Sequence, residues 1–273
     1  MSRPVTAEAS AGPELGHLLR KWRDARGKSQ LDLSLDAGVS QRHISFIESG
    51  RSVPGRQTLL QLAATLDVPL RDRNALLLAA GYAPIYMDAA WDAPEMDLIT
   101  GVLKRMLRQH EPFPALVMDR YWNVLLTNDA TSRFFGTFID LEKHPRPRNI
   151  LRLIFDPEAL RPFIRNWSEI ASSLIERIRR EVTGRVVDDQ TKALIASLLA
   201  YPGVELRTGS VAPTSTPVIP LSFEKDGRVL NYFSMVTTVG SPQTVAAQEL
   251  RLESMFPADD ATEANHATLM RGE

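Results

Sequence analysis

Between residues 29 and 54 the chain reads SQLDLSLDAGVSQRHISFIESGRSVP, and no other stretch narrows the possible folds as much. Ser29 is a good helix N-cap, with Asp32 three residues on as an imperfect capping-box partner, so a short helix runs from there to Ala37. The LDLSL segment inside it alternates like a strand, but the cap before it and Gly38 after it favour the helix. Gly38 supplies the positive φ of a tight turn, Val39 can plug the angle between two helices, and Ser40 caps the next helix at Gln41. There Ile44 and Ile47 share one face, which turns Gln41, Arg42 and Ser45 towards solvent near the helix N-terminus.

Apolar residues at Leu15, Leu18, Leu19 and Trp22 make one buried stripe of an earlier helix that Gly27 ends. Leu59, Leu62, Ala63 and Leu66 mark a fourth helix, and Leu76, Leu77 and Ala80 a fifth, closed by Gly81 and Pro84. The expectation is a disordered stretch at 1–13 and a small all-α helix-turn-helix domain of five short helices at 14–83. Residues 1–81 carry eleven Lys/Arg against eight Asp/Glu, whereas the whole chain has a net charge of −1, so the first domain is mildly basic and the rest acidic.

The segment SQLDLSLDAGVSQRHISFIESGRSVPGRQTLLQLAATLDV resembles the XRE and phage-repressor helix-turn-helix family. Gln30, Gln41, Gly38, Ser40, Ile44, Glu48, Gly50 and Pro54 all fall in order at the family's spacing, and Gly55 departs from it where a serine cap is usual. A helix fits the major groove of B-DNA with its N-terminal side chains at the base edges. Gln41 is therefore the expected base reader, since a glutamine amide can pair bidentately with adenine. Arg42 suits a guanine or a phosphate, and Ser45 a base or a water. Arg51 and Arg23 are expected phosphate contacts, and the resemblance implies that Gln30 holds a phosphate and braces Gln41. Arg20, Lys21, Arg23, Arg26 and Lys28 form a basic run that can equally be solvated charge. His43 and Glu48 read as structural, Glu48 as a partner for local backbone. A domain this small is expected to act as a homodimer on a palindromic double-stranded operator.

A bridge at 84–94 follows, and Asp92-Ala93-Pro94 precedes an amphipathic helix carrying Met96, Ile99, Leu103, Met106 and Leu107. PALVMDRYWNVLLTN reads as a hairpin around Asp119-Arg120, with Asn128 placed to cap the next short helix. Helical periodicity returns in NWSEIASSLIERIRREV and near Gln190–Tyr201. VIPLSFEKDGRVLNYFSMVTTV is two strands around Asp226-Gly227, and ELRLESMF alternates once more. The order suits an α+β domain at 95–258, an antiparallel sheet with helices covering one face, and a tail at 259–273. With no cysteine, thiol catalysis and Cys-ligated zinc are excluded. No nucleophile elbow, P-loop, dinucleotide fingerprint or zinc-protease motif occurs, and the five histidines are scattered, so no enzyme, catalytic residue, metal or cofactor is expected. The polar N-terminus and the lack of a long apolar run point to a cytoplasmic protein without a membrane segment.

RDRNALLLAAGYAP, FPALVMDRYWNVLLTN, RNILRLIF, FIRNWSEIA, LAYPGV and QELRLESMFPADDAT together resemble the MmyB-like regulators. That resemblance implies a PAS-like C-terminal domain that binds a small apolar ligand, with a fatty acid as the best precedent. Between sheet and helices the expected lining is Trp122, Leu126, Phe134, Phe135, Leu151, Phe155, Trp167, Phe233 and Met235. Asn128, Arg152 and Asn166 are candidates for a polar end. The same residues can instead be ordinary core, which would make the domain a ligand-free dimerisation or docking module.

Overall fold

The computed structural model describes residues 11–183, 188–204 and 218–271; most of the stretch expected to be disordered at 1–13 lies outside these. Two compact units divide the chain, the first built mainly on residues up to Asp88 and the second mainly on those from Ala89. The first contains α1 (Ala11–Ala25), α2 (Gln30–Ala37), α3 (Gln41–Glu48), α4 (Arg56–Thr65) and α5 (Leu70–Ala79). The local signals act as the sequence suggests. Ser29 and Asp32 close a full capping box on α2, Gly38 turns at φ 62°, and Ser40 accepts from the His43 amide to start α3. Leu15, Leu19, Trp22, Leu33, Ile44, Ile47, Leu59 and Leu62 meet in one core. Gly16 lets α1 cross the end of α3 closely, because a Cβ there would stand 2.6 Å from the Glu48 carbonyl oxygen and 2.7 Å from that of Ile47.

In chain order the second unit comprises α6 (Asp97–Gln109), β1 (Ala115–Met118), β2 (Val124–Thr127), α7 (Asp129–Gly136) and α8 (Ile150–Phe155). It continues with α9 (Trp167–Thr183), α10 (Asp189–Leu199), β3 (Leu221–Lys225), β4 (Arg228–Thr238), α11 (Val245–Glu249), β5 (Arg251–Pro257) and α12 (Asp260–Arg271). The five strands form one antiparallel sheet in the order β2-β1-β5-β4-β3, the α+β class expected from the sequence. Asp226 and Gly227 both take positive φ, which is the hairpin turn that their dipeptide signals.

Most helices lie on one face of the sheet, but α6 packs on the other, a departure from the single covered face expected. The reason is in β1, whose four residues are all apolar and all buried. Ala115 and Val117 join Leu103 and Leu107 of α6, together with Leu252 of β5. Leu116 points the opposite way, towards Phe135 and Ile150. There Phe134 sits at the centre of a ring cluster, its centroid 5.2–5.3 Å from those of Phe135, Phe138, Phe223 and Tyr232. The stretch read as a tail at 259–273 carries α12, whose Thr262 and His266 are buried. Tyr232 donates its hydroxyl to His266 Nδ1 at 2.6 Å, and His266 Nε2 lies 2.9 Å from the Pro112 carbonyl. A carbonyl only accepts, so Nε2 carries a proton; burial holds the ring's pKa below the ordinary histidine value, which favours the neutral form with Nδ1 accepting from Tyr232.

Candidate functional site

The first site is the exposed end of α3. Gln41 and Arg42 are exposed at its N-terminus, Ser45 is half-buried one turn on, and Arg51 is exposed just past its end. The Arg42 and Arg51 guanidiniums both stand over the Phe46 ring, at 5.2 and 5.9 Å from its centroid. Sequence reasoning did not single out Phe46, although its place between the two buried isoleucine positions and the arginines could have suggested an aromatic platform. Two basic groups are thus held on the same surface as Gln41.

Behind that surface lies Glu48, with a fully buried side chain. Arg23 donates to it from Nε at 2.7 Å and from Nη2 at 3.0 Å, the Gln30 amide donates at 2.9 Å, and Arg20 adds a longer bond at 3.3 Å. Glu48 is structural as expected, but its partners are distant side chains rather than local backbone. Burial pushes its carboxyl up; the hydrogen bonds from Arg23 and Gln30 outweigh this and hold it below the usual carboxylate range. Arg23 and Gln30, candidates for phosphate contact, therefore have part of their donor capacity committed inside the protein. Arg26 is committed to the Leu66 and Asp67 carbonyls and Lys28 to Asp36, so much of the basic run braces the fold.

Two cavities of the second unit, among its described residues, lie against the sheet. The inner one, about 160 Å³, lies between sheet and helices, with Leu116, Trp122, Phe135, Ile154, Phe233 and Met255 among its walls. Arg177 reaches it from α9, stacked 4.4 Å over the Trp122 ring and paired with Glu253 at 3.4 Å. The outer one, about 460 Å³, runs along β2 and is bounded by Leu126, Phe135, Leu141 and Leu153, with Trp91, Arg146 and Arg148 also in its wall. The larger volume falls within the roughly 300–1,000 Å³ usual for ligand pockets, and the smaller falls short of it. Sequence reasoning missed Trp91, Arg146 and Arg148, because nothing in their local pattern says that the chain folds back over β2.

Of the residues expected to line a pocket, Trp122, Phe135 and Phe233 border the inner cavity, and Leu126 and Phe135 the outer. The others border neither of these two. Phe134, Leu151 and Phe155 are fully enclosed or nearly so, Met235 is 60% exposed, and Arg152 projects into solvent. The Trp167 indole donates to the Ile154 carbonyl and its ring stacks under Arg161, while Asn166 joins the Pro220 carbonyl to the Ser222 amide. Asn128 is buried and bonded on both sides of its amide. Its oxygen accepts from the amides of Ala115 and Thr131, and its nitrogen donates to Phe113 at 2.8 Å. Asn128→Ala is expected to cost about 2–3 kcal/mol in urea unfolding, a lost cap plus stranded buried groups. An unchanged midpoint with weakened ligand binding would make it a ligand contact instead.

Among the described residues no helix is long and apolar enough to cross a membrane. Residues 19–72 match a helix-turn-helix family model. Over 70 residues the chain is 30% identical to multiprotein-bridging factor 1 from Schizosaccharomyces pombe, covering 26% of this chain and 47% of that protein. Over 52 residues it is 42% identical to an uncharacterised HTH-type transcriptional regulator from Sinorhizobium fredii, covering 19% of this chain and 26% of that one. The matches thus span about half of the first relative and about a quarter of the second. Residues 99–269, well over half of the chain, match the model of the MmyB-like transcription regulator ligand binding domain. With a helix-turn-helix unit ahead of a five-stranded sheet that encloses cavities, the chain belongs to the MmyB-like transcription regulators.

Proposed function

We propose that the protein is a sequence-specific DNA-binding transcriptional regulator of the cytoplasm whose second unit senses a small apolar ligand, a fatty acid or related acyl compound. The observation that carries this reading is the pairing, in one chain, of an exposed recognition-helix end with a cavity of about 460 Å³ whose wall is partly apolar. Gln41 reads a base, with Arg42 and Ser45 beside it. Arg51 contacts phosphate, and Gln30 and Arg23 hold register from behind, with Glu48 fixing their positions. The protein acts as a homodimer on a palindromic operator with half-sites about 34 Å apart. Ligand in the second unit alters DNA affinity through the bridge after α5; equal operator affinity with and without a bound ligand would remove this coupling.

Selection of binding sites from a random duplex library tests the DNA reading directly. Gln41→Ala is expected to relax preference at one base position by about 1–3 kcal/mol. Arg51→Ala should weaken all sequences alike and lower the salt slope by about 1. A preference unchanged in Gln41→Ala removes the base-reader assignment. Mass spectrometry of the purified protein, native and then after solvent extraction, tests the sensor reading: a stoichiometric lipid-like mass supports it. An empty protein whose melting temperature no acyl compound raises favours a ligand-free dimerisation or docking domain.

A further inference from the structure

We propose that Phe46 is a positioning residue for DNA binding: its ring holds the Arg42 and Arg51 guanidiniums ready for two backbone phosphates, which leaves base reading at this end of α3 to Gln41. This rests on the DNA-binding reading above. Arg42 suits a guanine or a phosphate by residue type alone, and the ring gives it the second role.

Arg20 and Arg23 are already committed to Glu48, Arg26 to the Leu66 and Asp67 carbonyls, and Lys28 to Asp36. Arg42 and Arg51 are exposed, and among the described residues neither has a carboxylate or carbonyl partner. Each has the Phe46 ring instead, at 5.2 and 5.9 Å from its centroid. Two like charges brought to one ring repel each other, and no counter-charge of the protein's own offsets that. Arriving anions relieve it, and the phosphates of a duplex are the anions that a recognition helix meets.

Arg42 lies one turn before Phe46 on α3, the spacing at which helix side chains meet. Its guanidinium is thus held back along the helix instead of reaching past the N-terminal end, where Gln41 stands and base edges are read. Arg51 comes to the ring from beyond the other end of the helix. There Gly50 takes φ 72°, and the Arg51 and Ser52 amides both donate to the Phe46 carbonyl, at 2.9 and 3.2 Å, which turns the chain back. Phe46 therefore fixes Arg51 through its carbonyl and through its ring, and a change of side chain removes only the second. The ring is half-buried, whereas Ile44 and Ile47 are fully buried, so part of it stays at the surface. Guanidiniums held this way lose less freedom on reaching a phosphate than free ones do, and that difference is the ring's contribution to affinity.

The test uses the full chain with two probes, a duplex that wild type selects from a random library and a scrambled duplex of the same length, with affinity read by fluorescence anisotropy. Phe46→Leu keeps the apolar bulk and loses the π face. It is expected to bind both duplexes about five- to ten-fold more weakly, the scale of re-ordering two long side chains, at an unchanged melting temperature. Phe46→Tyr restores a ring and should bind both within about two-fold of wild type. In a chain carrying Arg42→Ala and Arg51→Ala, adding Phe46→Leu should change affinity by less than about two-fold, because nothing is left for the ring to hold. An undiminished further loss in that background overturns the proposal. So does a Phe46→Leu loss confined to the selected duplex, which would make the ring a base reader against a thymine methyl. Nitrogen relaxation of the arginine Nε groups in the free wild type needs no variant. Arg42 and Arg51 are expected to be more restrained than Arg56, which is exposed at the start of α4, and equal mobility of all three overturns the positioning role. Wild type that binds DNA no better than Phe46→Leu removes this inference alone. Wild type that binds neither duplex tells against the DNA-binding reading itself and takes this inference with it.

Discussion

Glu48→Ala is expected to destabilise the helix-turn-helix unit by about 3–5 kcal/mol, the cost of leaving a buried charge without its partner. The Glu48 carboxylate is fully buried and the Arg23 side chain is only 11% exposed, so water cannot replace the lost bonds. Arg20 matters less, because its side chain is 52% exposed and its bond is longer. Against a total stability of about 5–15 kcal/mol for a domain, such a loss shifts the unfolding midpoint far enough to read by urea or heat. Replacing both partners by apolar residues, Glu48→Leu with Arg23→Met, should recover much of it, since a buried pair costs desolvation that an apolar pair does not. A single-variant cost below about 1 kcal/mol would mean that the site relaxes and admits water. The same carboxylate sets a pH dependence. Its folded pKa is depressed, so its contribution is complete above the unfolded value of about 4.3 and is lost as pH falls through the folded one. Glu48→Gln should flatten that acid limb.

Phe134→Ala is expected to cost the second unit about 3–5 kcal/mol and to abolish ligand binding with it. Phe134 has no exposed surface and touches the rings of four other aromatic residues as well as His266. The loss is one of transfer free energy plus the void left among those rings, and edge-to-face pairing adds to it. Phe134→Leu should cost less, since most of the volume stays filled. The measurement is calorimetric unfolding of the full chain, with dodecanoate binding at a temperature where the variant remains folded. A drop below about 1 kcal/mol would show that α7 shifts to close the gap.

The helix-turn-helix unit was legible because its determinants are local. Ser29, Gly38 and Ser40 act on residues within four positions of themselves, and the Leu15–Trp22 stripe needs only helical geometry to be seen. What escaped was whatever depends on long-range meeting. Glu48 attracts Arg23 and Gln30 from 25 and 18 residues away, so a reading of its neighbours alone gave it backbone partners. In the second unit the strands and the Asp226-Gly227 turn were readable by period and dipeptide. The face each strand shows to a helix was not, as the uniformly apolar β1 gives no polar side to orient it. Lining residues suffered most. An apolar side chain that fills core, such as Phe155, and one that borders a cavity, such as Phe135, have the same sequence signature. Only the packing separates them.

The position of β5 carries a consequence for how the molecule comes into being. It is the strand between β1 and β4, pairing Ala115 with Ser254 on one side and Tyr232 with Pro257 on the other. The β1–β2 and β3–β4 hairpins are each short-range, yet neither borders the other, and they become one sheet only when Arg251–Pro257 slots between them. During synthesis the first unit's core, closed by residues from Leu15 to Ala80, is complete long before that strand leaves the ribosome. Such distant pairings also form slowly. Glu253 and Met255 of the same strand are walls of the inner cavity. A newly made molecule thus completes its helix-turn-helix core before the sheet of its ligand-binding domain can close, and for that interval it has the first without the second.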